Sequence, residues 1–217
     1  MKKFLVSYSG GKDSMLALDR MLKDKNELVG IFTTTNKDIG SWFHDINLNI
    51  LENVAKSIDT IFIPVKLREG NEYTEDFENA LKALKQQYSI DCIVFGDIDI
   101  EEHRIWCSER CNNVGLEAIF PLWQENRLSL VKEFIDKGYK AVIKKVDKNK
   151  LPKETLGKTL DYSVLNYFTE VGIDECGENG EYHTLVYDGP IFKQKINLDI
   201  KDIQETEYSY NLNINLI

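Results

Sequence analysis

The sequence predicts an α/β fold: a doubly wound parallel sheet over residues 1–124, followed by a smaller C-terminal α+β domain over residues 125–217. Two observations lead there. Short apolar runs alternate with segments of helical period through the first part. Beyond Trp123 the pattern shifts toward alternating apolar and polar residues, the period of half-buried strands.

Each element has its own signal. Residues 4–7, 28–34, 60–65 and 92–96 are apolar runs too short for helices and read as buried strands. Between the first two strands Met15, Leu18 and Leu22 recur at helical spacing. Ile46, Ile50 and Val54 do so between the second and third, and Phe77, Leu81, Leu84 and Tyr88 before the fourth. Strands separated by helices run parallel, because each crossover is long and right-handed. Such sheets bind ligands beyond the carboxyl ends of their strands, which gathers the loops after Ser7, Thr34, Val65 and Gly96. In the second part, a helix over 128–136, a strand over 141–146 and a helix over 161–168 precede a glycine-rich segment. Alternation through Ile196, Leu198 and Ile200, and again from Tyr208 to Leu216, predicts an antiparallel pair. No long Pro/Ser linker intervenes, so the two parts are expected to pack closely.

Composition narrows the function classes. An apolar fraction of 42% with 29% charged residues suits a folded core and excludes a disordered chain. The net charge of −9 opposes broad binding to nucleic acid, which needs clustered cations. A local basic stretch (Lys137, Lys140, Lys144, Lys145, Lys148, Lys150, Lys153, Lys158) is expected to be a solvated surface. The Met1-Lys2-Lys3 start opens directly on a strand without a signal-peptide core, and no run is long enough to span a membrane, so the expected location is the cytoplasm. Cys92, Cys107, Cys111 and Cys176 have no framework spacing and fit a reducing compartment. Cys107 and Cys111 stand four apart, but no second Cys or His pair lies at zinc-finger spacing.

The chemistry concentrates at Tyr8-Ser9-Gly10-Gly11-Lys12-Asp13-Ser14, between the first strand and the first helix. Backbone N–H groups and a helix N-terminus there make an anion site, and adjacent glycines let the backbone approach phosphate oxygens. Lys12 can neutralise phosphate charge, Asp13 can hold Mg²⁺, and Ser9 and Ser14 can donate hydrogen bonds. A Walker loop is excluded, since Asp13 follows the lysine and Val6 stands where its first glycine belongs; a GxGxxG fingerprint is absent. A glycine turn capped by Asp13 and Ser14, with no ligand, is the alternative.

SGGKDS in this position resembles the PP-loop of the N-type ATP pyrophosphatases, which have an adenine nucleotide alpha hydrolase-like fold, cleave ATP between the α and β phosphates and adenylate a substrate oxygen. The resemblance implies that Ser9, Gly10, Gly11, Lys12, Asp13 and Ser14 hold the β and γ phosphates and the metal, with Thr33 and Thr34 near the nucleoside. His44, after Trp42-Phe43, is read separately as a candidate to approach the nucleotide, against the alternative of a satisfied structural histidine.

Further motifs narrow the family. Gly96-Asp97-Ile98, His103-Arg104-Ile105-Trp106 with Glu109 and Cys111, Pro121-Leu122-Trp123, Leu156-Gly157-Lys158 and Cys176-Gly177-Glu178-Asn179-Gly180-Glu181-Tyr182-His183-Thr184 follow in an order and spacing similar to the diphthine–ammonia ligase family. That resemblance implies ATP-dependent amidation of diphthine, a modified histidine on elongation factor 2, with AMP and pyrophosphate released. It also implies the ligase core alone, without the additional C-terminal domains of eukaryotic members. Glu178, Glu181 and His183 can position ammonium or take its proton, because the attacking species is neutral ammonia; the alternative is a polar turn before a strand. Gly96 would join the nucleotide site. Asp97, Arg104, Glu109 and Asn179 would orient the substrate, with a surface ion pair as the alternative for Arg104 and Glu109. The expected partners are elongation factor 2 or another acidic or carboxylate-bearing acceptor, ammonia, and a second copy of the chain in a homodimer. Two other readings stay open: a PP-loop RNA-modifying enzyme, whose sulfur route needs a persulfide-carrying cysteine, and an ATP sensor without turnover.

Overall fold

The computed structural model describes residues 1–35 and 46–217. It divides into two compact units, one of residues 1–9 and 13–124 and one of residues 10–12 and 125–217.

In the first unit, β1 (Lys3–Ser7), β2 (Glu27–Thr35), β3 (Ile61–Lys66), β4 (Cys92–Val94) and β5 (Glu117–Ile119) form one parallel sheet in the order β3-β2-β1-β4-β5. Among the described residues four helices alternate with them: α1 (Lys12–Lys23), α2 (Leu48–Ser57), α3 (Tyr73–Tyr88) and α4 (Glu101–Asn113). The chain winds outward from β1 through β2 to β3, then returns to the other side of β1 to lay down β4 and β5. That reversal makes the carboxyl ends of β1 and β4 the switch point, where open α/β sheets place their ligands.

Phe4, Leu5 and Val6 of β1 are all fully buried, as a strand covered on both faces requires. On one face Leu5, Phe32, Ile93 and Phe95 pack with Phe77, Leu81 and Leu84 of α3 and with Cys107 and Cys111 of α4. Phe4, Val6 and Ile31, pointing the other way, are buried too, as are Met15 and Leu18 of α1 and Ile50 and Val54 of α2.

In the second unit, β6 (Lys140–Asp147), β7 (Tyr182–Asp188), β8 (Leu198–Glu205) and β9 (Ser209–Leu216) form an antiparallel sheet in the order β7-β6-β9-β8. Helices α5 (Arg127–Asp136) and α6 (Tyr162–Val171) accompany it. Both start at side-chain caps: Asn126 Oδ1 accepts from the Ser129 N–H, and Asp161 Oδ1 from the N–H groups of Ser163 and Val164.

Three expectations change. The fifth parallel strand is added, and Ile46 lies ahead of α2 rather than within it. The basic stretch is not one solvated face: Lys144 is buried within β6, while Lys137, Lys148 and Lys150 pair with Glu133, Glu205 and Glu181.

Candidate active site

At the switch point of the first unit, Tyr8 extends β1 by one bond, its N–H donating to the Phe32 carbonyl at 2.8 Å. Thr33 locks the same residue from the other side, its hydroxyl donating to the Tyr8 carbonyl. The chain then turns, with Gly10 at φ 85°, a left-handed conformation that glycine adopts without a Cβ penalty. Across the turn, the hydroxyls of Ser9 and Ser14 lie 3.1 Å apart. Asp13 stands in the first turn of α1, where its charge complements the helix dipole.

Gly96, just past β4, explains how close the two strand ends come. A Cβ there would lie 2.8 Å from the Ser14 nitrogen and 2.9 Å from the Asp13 carbonyl carbon. Its role is thus to let the loop after β4 meet the start of α1. Asp97 follows, half-buried, with Oδ1 3.2 Å from Nδ1 of His103. Burial pushes its carboxyl above the ordinary value, with His103 opposing and Asp13 adding to the shift.

The remaining expected residues of this unit divide. Thr33 is buried and holds the strand end, whereas Thr34 is half-buried with its side chain hydrogen-bonded to Tyr73. Arg104 forms an ion pair with Glu101 at 2.6 Å and lies 4.9 Å from the Trp123 ring centroid. Glu109 is exposed and pairs with Arg110 at 2.8 Å. Both side chains thus stand in ion pairs along α4. His44 lies outside the described residues.

In the second unit, residues 10–12 dock along β7. The Gly10 carbonyl accepts from the Val186 N–H at 2.9 Å, and the Lys12 N–H donates to Thr184 Oγ1 at 3.0 Å. Lys12 is 4% exposed; its ammonium donates to the Cys176 carbonyl and sits 5.3 Å from the Tyr182 ring centroid. The structure thus brings the loop lysine and the Cys176–Thr184 segment together.

That segment is held by two carboxylates. Asp174 accepts from the N–H of Cys176 at 3.1 Å and of Glu178 at 2.8 Å, and pairs with Arg127 at 2.6 Å. Glu181, buried, accepts from the Asn179 N–H at 3.0 Å and pairs with Lys150 at 3.1 Å. Gly177, at φ 74°, has no room for a side chain, since a Cβ would meet the Tyr182 carbonyl at 2.9 Å. The Tyr182 hydroxyl closes the turn onto the Glu175 carbonyl. Glu178 and His183 are half-buried and Asn179 is exposed. Sequence reasoning missed Asp174, Arg127 and Lys150, whose partners are recognisable only once the turn is folded. Tyr182 and Thr184 stood inside the quoted motif and carried that much signal.

A doubly wound parallel unit whose glycine turn opens α1 at the switch point, followed by an antiparallel unit with an acidic glycine turn, defines a PP-loop type of α/β protein. Comparison with known proteins narrows this further. The chain belongs to the diphthamide synthase family: the sequence model of the diphthamide synthase N-terminal domain matches residues 1–118, and that of the C-terminal domain matches residues 126–215. It is 35% identical over 153 residues to the diphthine–ammonia ligase of Homo sapiens, covering 69% of this chain and 57% of that protein. To that of Rattus norvegicus it is 28% identical over 218 residues, covering 89% and 82%. To that of Schizosaccharomyces pombe it is 27% identical over 224 residues, covering 94% and 37%. The match thus spans little more than half of the human relative's length. A solved structure described as a predicted subunit of tRNA methyltransferase from Methanocaldococcus jannaschii aligns with 89% of this chain at 17% identity and a TM-score of 0.46, a likeness that says nothing about activity.

Proposed function

We propose that the protein is an AMP-forming amide ligase: it adenylates a substrate carboxylate with ATP, releasing pyrophosphate, and ammonia then displaces AMP to leave the amide. The acceptor in this reading is diphthine, the substrate in the names of the relatives, carried on elongation factor 2 as the family resemblance implies. One observation carries it: a buried lysine, Lys12, stands in a glycine turn at the switch point of a parallel sheet, where fixed N–H donors and an ammonium suit a pyrophosphate group.

Ser9, Gly10, Gly11, Lys12 and Ser14 would hold the terminal phosphates. Mg²⁺ would be held by Asp13, whose carboxylate in the first turn of α1 is a hard-oxygen donor, and one carboxylate with substrate phosphates is an ordinary Mg²⁺ arrangement. When bound, the ion neutralises developing phosphate charge. Among the described residues no three His, Cys, Asp or Glu side chains converge, so the metal would depend on the nucleotide for most of its ligands.

In the acidic turn, Glu178 and His183 are the groups for accepting the ammonium proton, while Glu181 positions the turn through Asn179 and Lys150. A sulfur-transfer reading is weakened by the cysteines. All four are buried, and burial pushes the Cys92 thiol up to about 11 and Cys111 up to about 12, opposing the thiolate that persulfide chemistry needs. Among the described residues no helix is long and apolar enough to cross a membrane. The test is incubation of the purified chain with diphthine-bearing elongation factor 2, ammonium, ATP and Mg²⁺. AMP, pyrophosphate and amidated acceptor in equal amounts are expected; ADP in place of AMP would overturn the reading.

A further inference from the structure

Strand β8 is the outer edge of the second unit's sheet, opposite the edge occupied by β7. Its residues from Ile200 to Glu205 are all exposed, with Ile200 45% and Ile203 44% accessible. An edge strand presents a row of backbone donors and acceptors to another strand, and proteins ordinarily blunt such edges. Here the sequence of the edge contains a hidden symmetry.

The symmetry comes from a bulge. Ile200 pairs with Ile214 and Ile203 with Leu212, so Lys201 and Asp202 together oppose the single residue Asn213. The extra residue places Ile200 and Ile203 on one face and Lys201 with Asp202 on the other. Side-chain contacts agree: Asn213 Nδ2 donates to Asp202 at 3.0 Å, and Lys201 pairs with Asp199. Read outward from the point between Lys201 and Asp202, the faces therefore run identically in both directions. A regular strand cannot do this, since its sides alternate strictly.

We propose that β8 pairs antiparallel with β8 of a second copy of the chain, about a twofold axis between Lys201 and Asp202. Directly opposed residues must share a face, and this register satisfies that throughout. Ile200 meets Ile203 of the second copy, twice by symmetry, covering the exposed apolar surface. Lys201 meets Asp202 of the second copy, also twice, so each cation faces an anion. Moving the axis onto Lys201 would set lysine against lysine and put Ile200 opposite a residue of the other face. The bulge thus selects one register, and the product is a continuous eight-stranded sheet with β7 at both outer edges. An isologous pairing of this kind closes on itself and does not propagate into fibres.

Charge reversal tests it. The chain of 217 residues, 25.1 kDa, should sediment as a dimer. Asp202→Lys alone and Lys201→Asp alone each set like charges opposite one another twice, and each should weaken the dimer by about tenfold or more. Mixing the two variants should restore it, because every lysine then meets an aspartate of the other chain. Restoration on mixing also shows that both variants are folded. A wild-type chain that is monomeric up to its solubility limit, variants that dimerise as wild type does, or a mixture that stays monomeric would each overturn the proposal.

Discussion

The two glycine turns of this chain use their polar groups in opposite ways. Around Asp174–Glu181, carboxylates are turned inward: Asp174 serves two backbone N–H groups and Arg127, and Glu181 serves the Asn179 N–H and Lys150. In the turn that follows β1 the Ser9 and Ser14 hydroxyls lie 3.1 Å apart, Gly10 and Lys12 are anchored through their backbone to Val186 and Thr184 of β7, and Asp13 stands at the head of α1. A turn framed by carboxylates can present a side chain accurately, whereas a glycine turn lets its backbone come close to a ligand. On that contrast, substitutions in the first turn should act on turnover and substitutions in the second on stability.

Lys12 gives the largest expected effect. Lys12→Ala should lower ATP-dependent pyrophosphate release by about 10²–10³-fold, the usual cost of removing one preorganised charge-stabilising donor. Because Lys12 also holds the Cys176 carbonyl, thermal unfolding must be measured alongside. A variant that loses stability but keeps its turnover would reverse the contrast. Asp174→Ala should do the opposite: with its side chain only 7% exposed, its loss removes an ion-pair partner of Arg127 and the acceptor of two N–H groups, destabilising by about 3 kcal/mol. Denaturant titration of the two variants side by side reads the comparison directly.

Gly177→Ala comes next, with an expected loss of about 2 kcal/mol, part from φ 74° and part from the approach of a Cβ to the Tyr182 carbonyl. Gly96→Ala has its clash with the backbone at the start of α1 instead. It should therefore depress nucleotide binding, measured by calorimetry, more than it depresses the melting temperature.

How much of this was readable beforehand follows from the same physics. Strands β1 and β4 were legible because burial on both faces leaves a continuous apolar run, as at Phe4, Leu5 and Val6, and β2 and β3 because their apolar runs are too short for helices. Strand β5 has three residues, Glu117 exposed and its neighbours half-buried, so nothing distinguishes it from loop. The lysine turn was legible because its chemistry is contiguous. Within the acidic turn, Glu178 and Glu181 look alike in sequence; what separates them is Lys150, 31 residues away, and the Asn179 N–H, which reaches Glu181 only in the folded turn. A separation of 47 residues likewise hides Arg127 from Asp174. Lys144 reads as one more surface lysine until β6 is seen to bury it.

Asp97 offers the smallest effect and a fine test of which residues around the first turn serve function. Burial raises its carboxyl pKa in the folded state, so the protonated form favours folding. That contribution is fully present below the unfolded value of about 4 and is lost as pH rises through the folded value. At neutral pH the ionised carboxylate is thus a modest liability that His103 only partly offsets. Asp97→Asn should raise the melting temperature by a degree or two at neutral pH, equivalent to under about 1 kcal/mol, and leave it unchanged in acid. If turnover falls while stability rises, Asp97 is retained for its chemistry, the exchange expected of a site residue. If turnover is unchanged, the site ends at Gly96, and Asp97 belongs with Arg104 and Glu109 among the ion pairs of α4 and its approach.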